Sequence, residues 1–254
     1  MEFKKTNECA AGNHHTGLCT DKKIFFLIRK LMRVEDENIN KLLKNGEYNF
    51  LKEAYGKIKE EKIKKIIENQ MLYRFKPYGP TGSEWLSNFD IENVLTRYSQ
   101  FNPKFTHFPF HMIDFYETKE EIAVRDFSKD KKEKRCMGLV MNTDDSRGMG
   151  IHWFALFIDF RENGTVEYFN SSGLPPLEPV NRWMIEMSTN YKCKRVIASP
   201  FRYQNDNHSC GVYSLYYILS RAEGYSYQKF RNRKINDELM GNFRQFLFRD
   251  HNTS

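Results

Sequence analysis

The chain has 254 residues, 40% of them hydrophobic, with 21 Phe and 14 Tyr. That is ample material for a buried core and excludes a disordered chain. The net charge is +7, from 40 Lys and Arg against 33 Asp and Glu, and no apolar run reaches the roughly 20 residues of a membrane span.

Residues 22–33 place Ile24, Leu27, Ile28 and Leu31 at the spacing of one helix face. Residues 35–43 and 50–72 repeat the pattern, with Gly46 as a stop between them. The stretch from Lys76 to Ser83, rich in Pro and Gly, breaks regular structure. We therefore expect a helical arm over residues 1–80 and a catalytic-sized domain over 81–254.

In the second part, residues 90–98 read as a helix and 137–141 as a short apolar strand. Residues 152–160 are almost wholly apolar, as in a strand buried on both faces. Asn163-Gly164 signals a hairpin turn, and 165–169 returns as its second strand. A helix over 180–191, a strand over 195–198 and helices over 212–221 and 238–248 complete an α+β chain without internal repeats.

The five cysteines, at 9, 19, 136, 193 and 210, are odd in number and scattered. The pattern describes no disulfide framework and suits a reducing compartment. Met1 to Thr6 opens no apolar signal core, so a soluble intracellular protein is expected. Cys9, His14, His15 and Cys19 are zinc-ligand residue types, yet their spacing fits no common finger; a mobile terminus is the expectation, and no metal or organic cofactor is implied. The basic stretches Lys52–Lys65 and Lys129–Arg135 read as solvated surface. Nucleic acid or an acidic partner is the alternative for them.

Cys210 stands where a loop turns into the apolar run Val212–Leu219. The unpaired N–H groups and positive dipole end of a first helical turn favour thiolate over thiol. Gln204, six residues upstream, offers a side-chain N–H₂ for developing negative charge. A thiol nucleophile needs an imidazole, and the imidazole an orienting acceptor. His152 opens the first hairpin strand and Asn170 closes the second, so an antiparallel hairpin brings them to one sheet edge. Singly, each residue has a structural explanation: a buried cysteine, a strand-end histidine, a turn-forming asparagine. Jointly, their order and spacing describe a cysteine nucleophile with its base. His107 and His111 take no role, and His208, inside the loop, is the rival base.

The order His152, Asn170, Cys210 resembles the ubiquitin-like-protein protease superfamily, which includes SUMO proteases, adenovirus protease and proteases of large DNA viruses. The resemblance is carried by His152-Trp153, by Glu167 to Gly173, by Arg182-Trp183-Met184, by Cys210-Gly211 with Tyr213 to Ile218, and by Phe246 to Arg249. Upstream it runs through Arg74-Phe75-Lys76, Asn88 to Ile91, Phe108-Pro109-Phe110 and Met112 to Phe115. It covers most of residues 74–249 and is weak over the first 70.

The resemblance implies a central mixed β-sheet flanked by helices. It implies Cys210 as nucleophile, His152 as general base and acid, Asn170 as orienting residue where many relatives carry Asp, and Gln204 as oxyanion donor with the Cys210 N–H. Ser209 stands where relatives usually carry an acid, and Val212 where a viral relative has Pro. Trp85 with Leu86, Ser87 and Asn88 is similar to the opening of the SUMO proteases. With Trp153 it implies a slot too narrow for side chains, hence cleavage after Gly-Gly. The expected substrate is a viral structural polyprotein in the host cytoplasm and virion. A ubiquitin-like deconjugase and an inactive basic scaffold are the alternatives.

Overall fold

The computed structural model describes residues 8–13, 17–35, 38, 43, 45–232 and 235–250. Its centre is a five-stranded sheet in the order β1 (Phe105–His107), β2 (Cys136–Asn142), β3 (Trp153–Asp159), β4 (Thr165–Phe169) and β5 (Lys194–Ile197). Strands β2, β3 and β4 run antiparallel, while β1 and β5 add parallel edges. The sheet is therefore mixed, as expected. The three-residue β1 escapes sequence reading because it is too short to show alternation.

Strand β3 is apolar up to its terminal Asp159 because both of its faces are covered. Ala155 and Phe157 join an apolar cluster on one side, Phe154, Leu156 and Ile158 another on the opposite side. Helix α8 (Cys210–Ala222) covers the first face and is buried along its whole length. Gly138 on β2 permits this approach, since a Cβ there would lie 2.5 Å from Ile218. The rings of Phe169 and Tyr217 stack at 4.6 Å. Helix α4 (Asn88–Ser99) and helix α10 (Asp237–Leu247) complete that layer. On the other face lies α7 (Glu178–Tyr191), packed through Val180, Trp183, Met184 and Met187.

A buried charge cluster locks α8 in place. Glu167, fully buried on β4, accepts from Tyr217 Oη at 2.5 Å and from Arg221 Nε and Nη2 at 2.7 Å each. Arg221 Nη2 also reaches Asp159 at 3.0 Å. Each charge has a partner, which is what makes a charge tolerable at this depth. Fixing the C-terminal half of α8 also fixes its N-terminus, where Cys210 sits.

The N-terminal helices are α1 (Lys22–Leu31), α2 (Glu47–Lys57) and α3 (Glu61–Arg74), sharing a separate apolar cluster with Phe25, Ile28, Phe50, Leu51 and Ile67. The sequence pattern reads 50–72 as one helix, but Ile58 is extended (φ −76°, ψ 128°) and divides it. The break lets α2 and α3 fold against each other instead of projecting as one rod. The helix expected over 35–43 falls mostly outside the described residues. Gly46, at φ 87°, opens α2 in a conformation that favours glycine.

Two expectations are corrected: that the cysteines form no disulfide, and that the terminus around Cys9 and Cys19 is loose. Cys9 and Cys19 form a disulfide, their Cα atoms 5.1 Å apart, and both are buried in the N-terminal cluster. They are therefore not zinc ligands, and His14 and His15 lie outside the described residues. An odd count scattered along the chain hides a pair that a tight local loop brings together. The thiols of Cys136, Cys193 and Cys210 remain free.

Candidate active site

The register of β3 and β4 pairs Ala155 with Phe169, so His152 and Asn170 lie at the same end of the sheet, as the hairpin argument requires. His152 Nε2 is 2.8 Å from Asn170 Oδ1. The same oxygen accepts from the backbone N–H of Ser172 at 2.9 Å and its hydroxyl at 2.7 Å. Asn170 Nδ2 donates to Tyr168 Oη at 2.9 Å, while that hydroxyl lies within reach of the Leu174 and Pro175 carbonyls. A reversed amide would set its N–H₂ against the Ser172 N–H, so the network dictates the orientation. Nε2 must then carry the proton, which leaves the Nδ1 lone pair free. Burial holds the imidazole below its ordinary pKa, and the Asn170 bond counters it only in part. This favours the neutral ring.

Cys210 is the first residue of α8 and is 5% exposed. Backbone N–H groups of Trp153, Gly211 and Cys210 itself are directed at its sulfur. The thiol is thus held against the residue that follows His152. Burial pushes its pKa up, and the three N–H groups do not overcome that. Burial thus opposes the helix-start contribution expected to favour the thiolate. At a site this enclosed, desolvation of the anion outweighs the dipole. Both directions favour the thiol and the neutral imidazole.

Gln204 is held from both ends. Its Oε1 accepts from Ser171 Oγ at 2.7 Å and its Nε2 donates to Asp206 Oδ1 at 3.0 Å. Asp206 also accepts from the backbone N–H groups of His208 and Ser209, at 3.1 and 3.0 Å, and from Ser209 Oγ at 2.6 Å. Burial would raise this carboxyl, but the Ser209 side chain and backbone, followed by Gln204 and His208, outweigh it and hold it below the usual carboxylate range. Asp206 was missed in the sequence. Its signal was the Asp206–Ser209 spacing of a local capping turn. The rival base His208 faces Asp206, with Nε2 3.4 Å from Oδ2.

A second missed residue lies behind the loop. Arg244, 1% exposed on α10, donates through Nη1 to the Glu84 carbonyl at 2.7 Å and through Nη2 to the His208 carbonyl at 3.2 Å. One guanidinium thereby ties the segment before Trp85 to the loop before Cys210.

Trp85, Trp153 and Asn88 line one cleft of about 510 Å³. Trp153 Nε1 donates to the Leu86 carbonyl at 3.0 Å, which joins the two tryptophan segments. Trp85 is 55% exposed, and Phe89, Met149 and Ile151 are also exposed. Asn88 begins α4 directly after Ser87, whose side chain forms a capping box with Asp90. Gly211 sits beneath, where a Cβ would meet Leu86 Cβ at 3.2 Å and Trp153 Cδ1 at 3.3 Å.

The profile of the Ulp1 protease family, C-terminal catalytic domain, matches residues 80–254. The chain belongs to the Ulp1 protease family. It is similar to the SUMO-1 cysteine protease of African swine fever virus, with 35% identity over 217 residues, covering 77% of this chain and 78% of that one. The crystal structure of the African swine fever virus pS273R protease superimposes with a TM-score of 0.76 and 29% identity, covering 96% of both chains. A more distant likeness, TM-score 0.45 and 18% identity over 64% of this chain and 74% of that one, is to the Ulp1 protease domain in complex with SMT3, the yeast ortholog of SUMO. This Ulp1-family chain is a cysteine protease.

His107 and His111 have partners of their own, and His111 also lines the cleft of Trp85 and Trp153. His107 contacts Thr96 at 3.3 Å and Glu92 at 3.6 Å. His111 is buried, with Nδ1 against the Phe110 carbonyl at 2.9 Å. The basic stretches are laced with local pairs, including Lys57–Glu53, Lys64–Glu61 and Lys129–Glu133. Among the described residues no helix is long and apolar enough to cross a membrane, and no group of three or more His, Cys, Asp or Glu is arranged to hold a metal ion.

Proposed function

We propose that the protease is an endopeptidase that cleaves after Gly-Gly in structural polyprotein precursors of a large DNA virus, acting at assembly sites in the host cytoplasm and in the virion. The observation that carries this reading is the oriented pair His152–Asn170, 2.8 Å apart, at the sheet edge where the Trp153 N–H meets the Cys210 sulfur.

The reaction proceeds as acyl transfer. His152 Nδ1 takes the thiol proton as Cys210 Sγ attacks the carbonyl carbon of the second glycine. The oxyanion is received by the Cys210 N–H and Gln204 Nε2. His152 then protonates the leaving amine as the C–N bond breaks, giving a thioester. Water, deprotonated by His152, hydrolyses it, and the proton returns to Cys210. An amide at position 170 orients the ring but adds no negative charge to stabilise imidazolium, in keeping with a lowered His152 pKa.

Trp85 and Trp153 form the slot for the two glycines, with Asn88 at its wall. The test is mass spectrometry on a Gly-Gly-Xaa peptide that lacks any folded ubiquitin-like part. Cleavage after the second glycine is expected, abolished in Cys210→Ser and in His152→Ala with the fold retained. Cleavage only of a folded SUMO fusion would assign a deconjugase instead, and activity in either variant would sink the mechanism. Basic segments contacting nucleic acid would make the rate sensitive to salt and to added DNA.

A further inference from the structure

The N-terminal helices and the C-terminal end of the chain enclose a second cleft, of about 540 Å³, lined among others by Tyr48, Tyr55, Glu68, Tyr78, Arg97 and Arg249. Arg97, on α4, is 8% exposed. Its Nη1 donates to the backbone and side-chain oxygens of Asn93, at 2.8 and 2.9 Å. Among the described residues the opposite edge of the guanidinium, Nε and Nη2, meets no partner, and Nε is buried. That edge is the fork that grips an oxyanion with two parallel hydrogen bonds.

Arg249 completes the arrangement. Its guanidinium carbon lies 3.5 Å from the Tyr48 ring centroid and 3.9 Å from that of Tyr78. Its Nε is likewise buried without a partner. The two charges sense each other, for burial first and the Arg249 charge second lower the Arg97 pKa to about 10. No described carboxylate forms an ion pair with either arginine. Glu68, the acid in the cleft, is engaged by Tyr55 Oη at 2.6 Å.

Two neighbouring cations, Arg97 buried and Arg249 partly exposed, with no described carboxylate ion-paired to either, favour an anionic ligand. A phosphate monoester, carrying about −1.5 to −2 charges near neutral pH, matches both the charge and the fork. A single carboxylate supplies half of that charge. The volume, moreover, falls in the roughly 300–1,000 Å³ range of small-molecule sites. We propose that this cleft, joining the helical arm to the catalytic half through Arg97 and Arg249, binds the phosphate group of a small molecule.

The test is calorimetric titration of the full chain with inorganic phosphate, adenosine monophosphate and adenosine at constant ionic strength. Saturable binding of the two phosphates and none of adenosine is expected. Tighter binding of the nucleotide would identify a nucleotide as the source, and equal affinity free phosphate. Arg97→Lys keeps the charge but loses the fork, and Arg249→Gln loses the charge at a partly exposed position. Each is expected to weaken phosphate binding about tenfold or more, with peptide cleavage as the check that both variants are folded. Absence of saturable phosphate binding to the unaltered chain, or unchanged affinity in either folded variant, would overturn the proposal.

Discussion

Asp206 accepts hydrogen bonds from both the backbone N–H and the hydroxyl of Ser209, at 3.0 and 2.6 Å. Ser209 thus holds the Asp206 carboxylate in place just before the nucleophile. From there Asp206 also steadies the Gln204 amide.

Asp206→Ala should therefore lower kcat more than it raises KM, because Gln204 loses the acceptor that aims its N–H₂. Gln204→Ala removes the donor itself, and losses of about 10²–10³ in kcat are typical of such donors. Asp206→Ala should fall short of that figure and Ser209→Ala shorter still. Steady-state kinetics on a Gly-Gly-Xaa peptide measures all three. An Asp206→Ala enzyme with unchanged kcat would remove Asp206 from the account.

The pH profile follows from two shifts. The base-competent form of His152 is neutral, and its pKa is lowered, so kcat/KM should hold at pH values below the ordinary imidazole pKa of about 6.5. Asn170→Asp should stabilise imidazolium and move this acid limb to higher pH. Iodoacetamide labelling of Cys210 in the free enzyme should keep rising through the ordinary thiol range, since the thiol pKa is raised. A labelling rate already flat at neutral pH would indicate a resting thiolate and contradict the reading.

Gly211→Ala should impair substrate binding. The new Cβ would meet Leu86 and Trp153 at 3.2 and 3.3 Å, and overpacking of this kind costs about 1–3 kcal/mol. Trp153 is the part able to shift, because it borders the open cleft. The expected result is a raised KM for the glycine-containing peptide with a modest fall in melting temperature, read by kinetics and calorimetry together.

Reducing the Cys9–Cys19 disulfide should destabilise the N-terminal helices. A loop of this length, with a sequence separation of 10, is worth about 3 kcal/mol in the chain-entropy account. Cys19→Ser should lower the melting temperature and speed proteolysis of the N-terminal segment. It should leave kcat on a short peptide unchanged, because neither sulfur approaches the catalytic elements.

What residue order alone determined was considerable. The almost wholly apolar β3, the Asn163-Gly164 turn and the chain order of His152, Asn170 and Cys210 are local patterns, and strand pairing with period two turns them into a shared sheet edge. Other features arise only when distant segments meet. Glu167 beneath Arg221, and Arg244 bridging Glu84 and His208, depend on contacts that no local periodicity encodes. The protonation of the site belongs to the same class. Residues 204–210 place a cysteine at a helix start, which taken locally favours thiolate. Tertiary burial of that cysteine reverses the balance, because desolvating an anion outweighs three backbone dipoles.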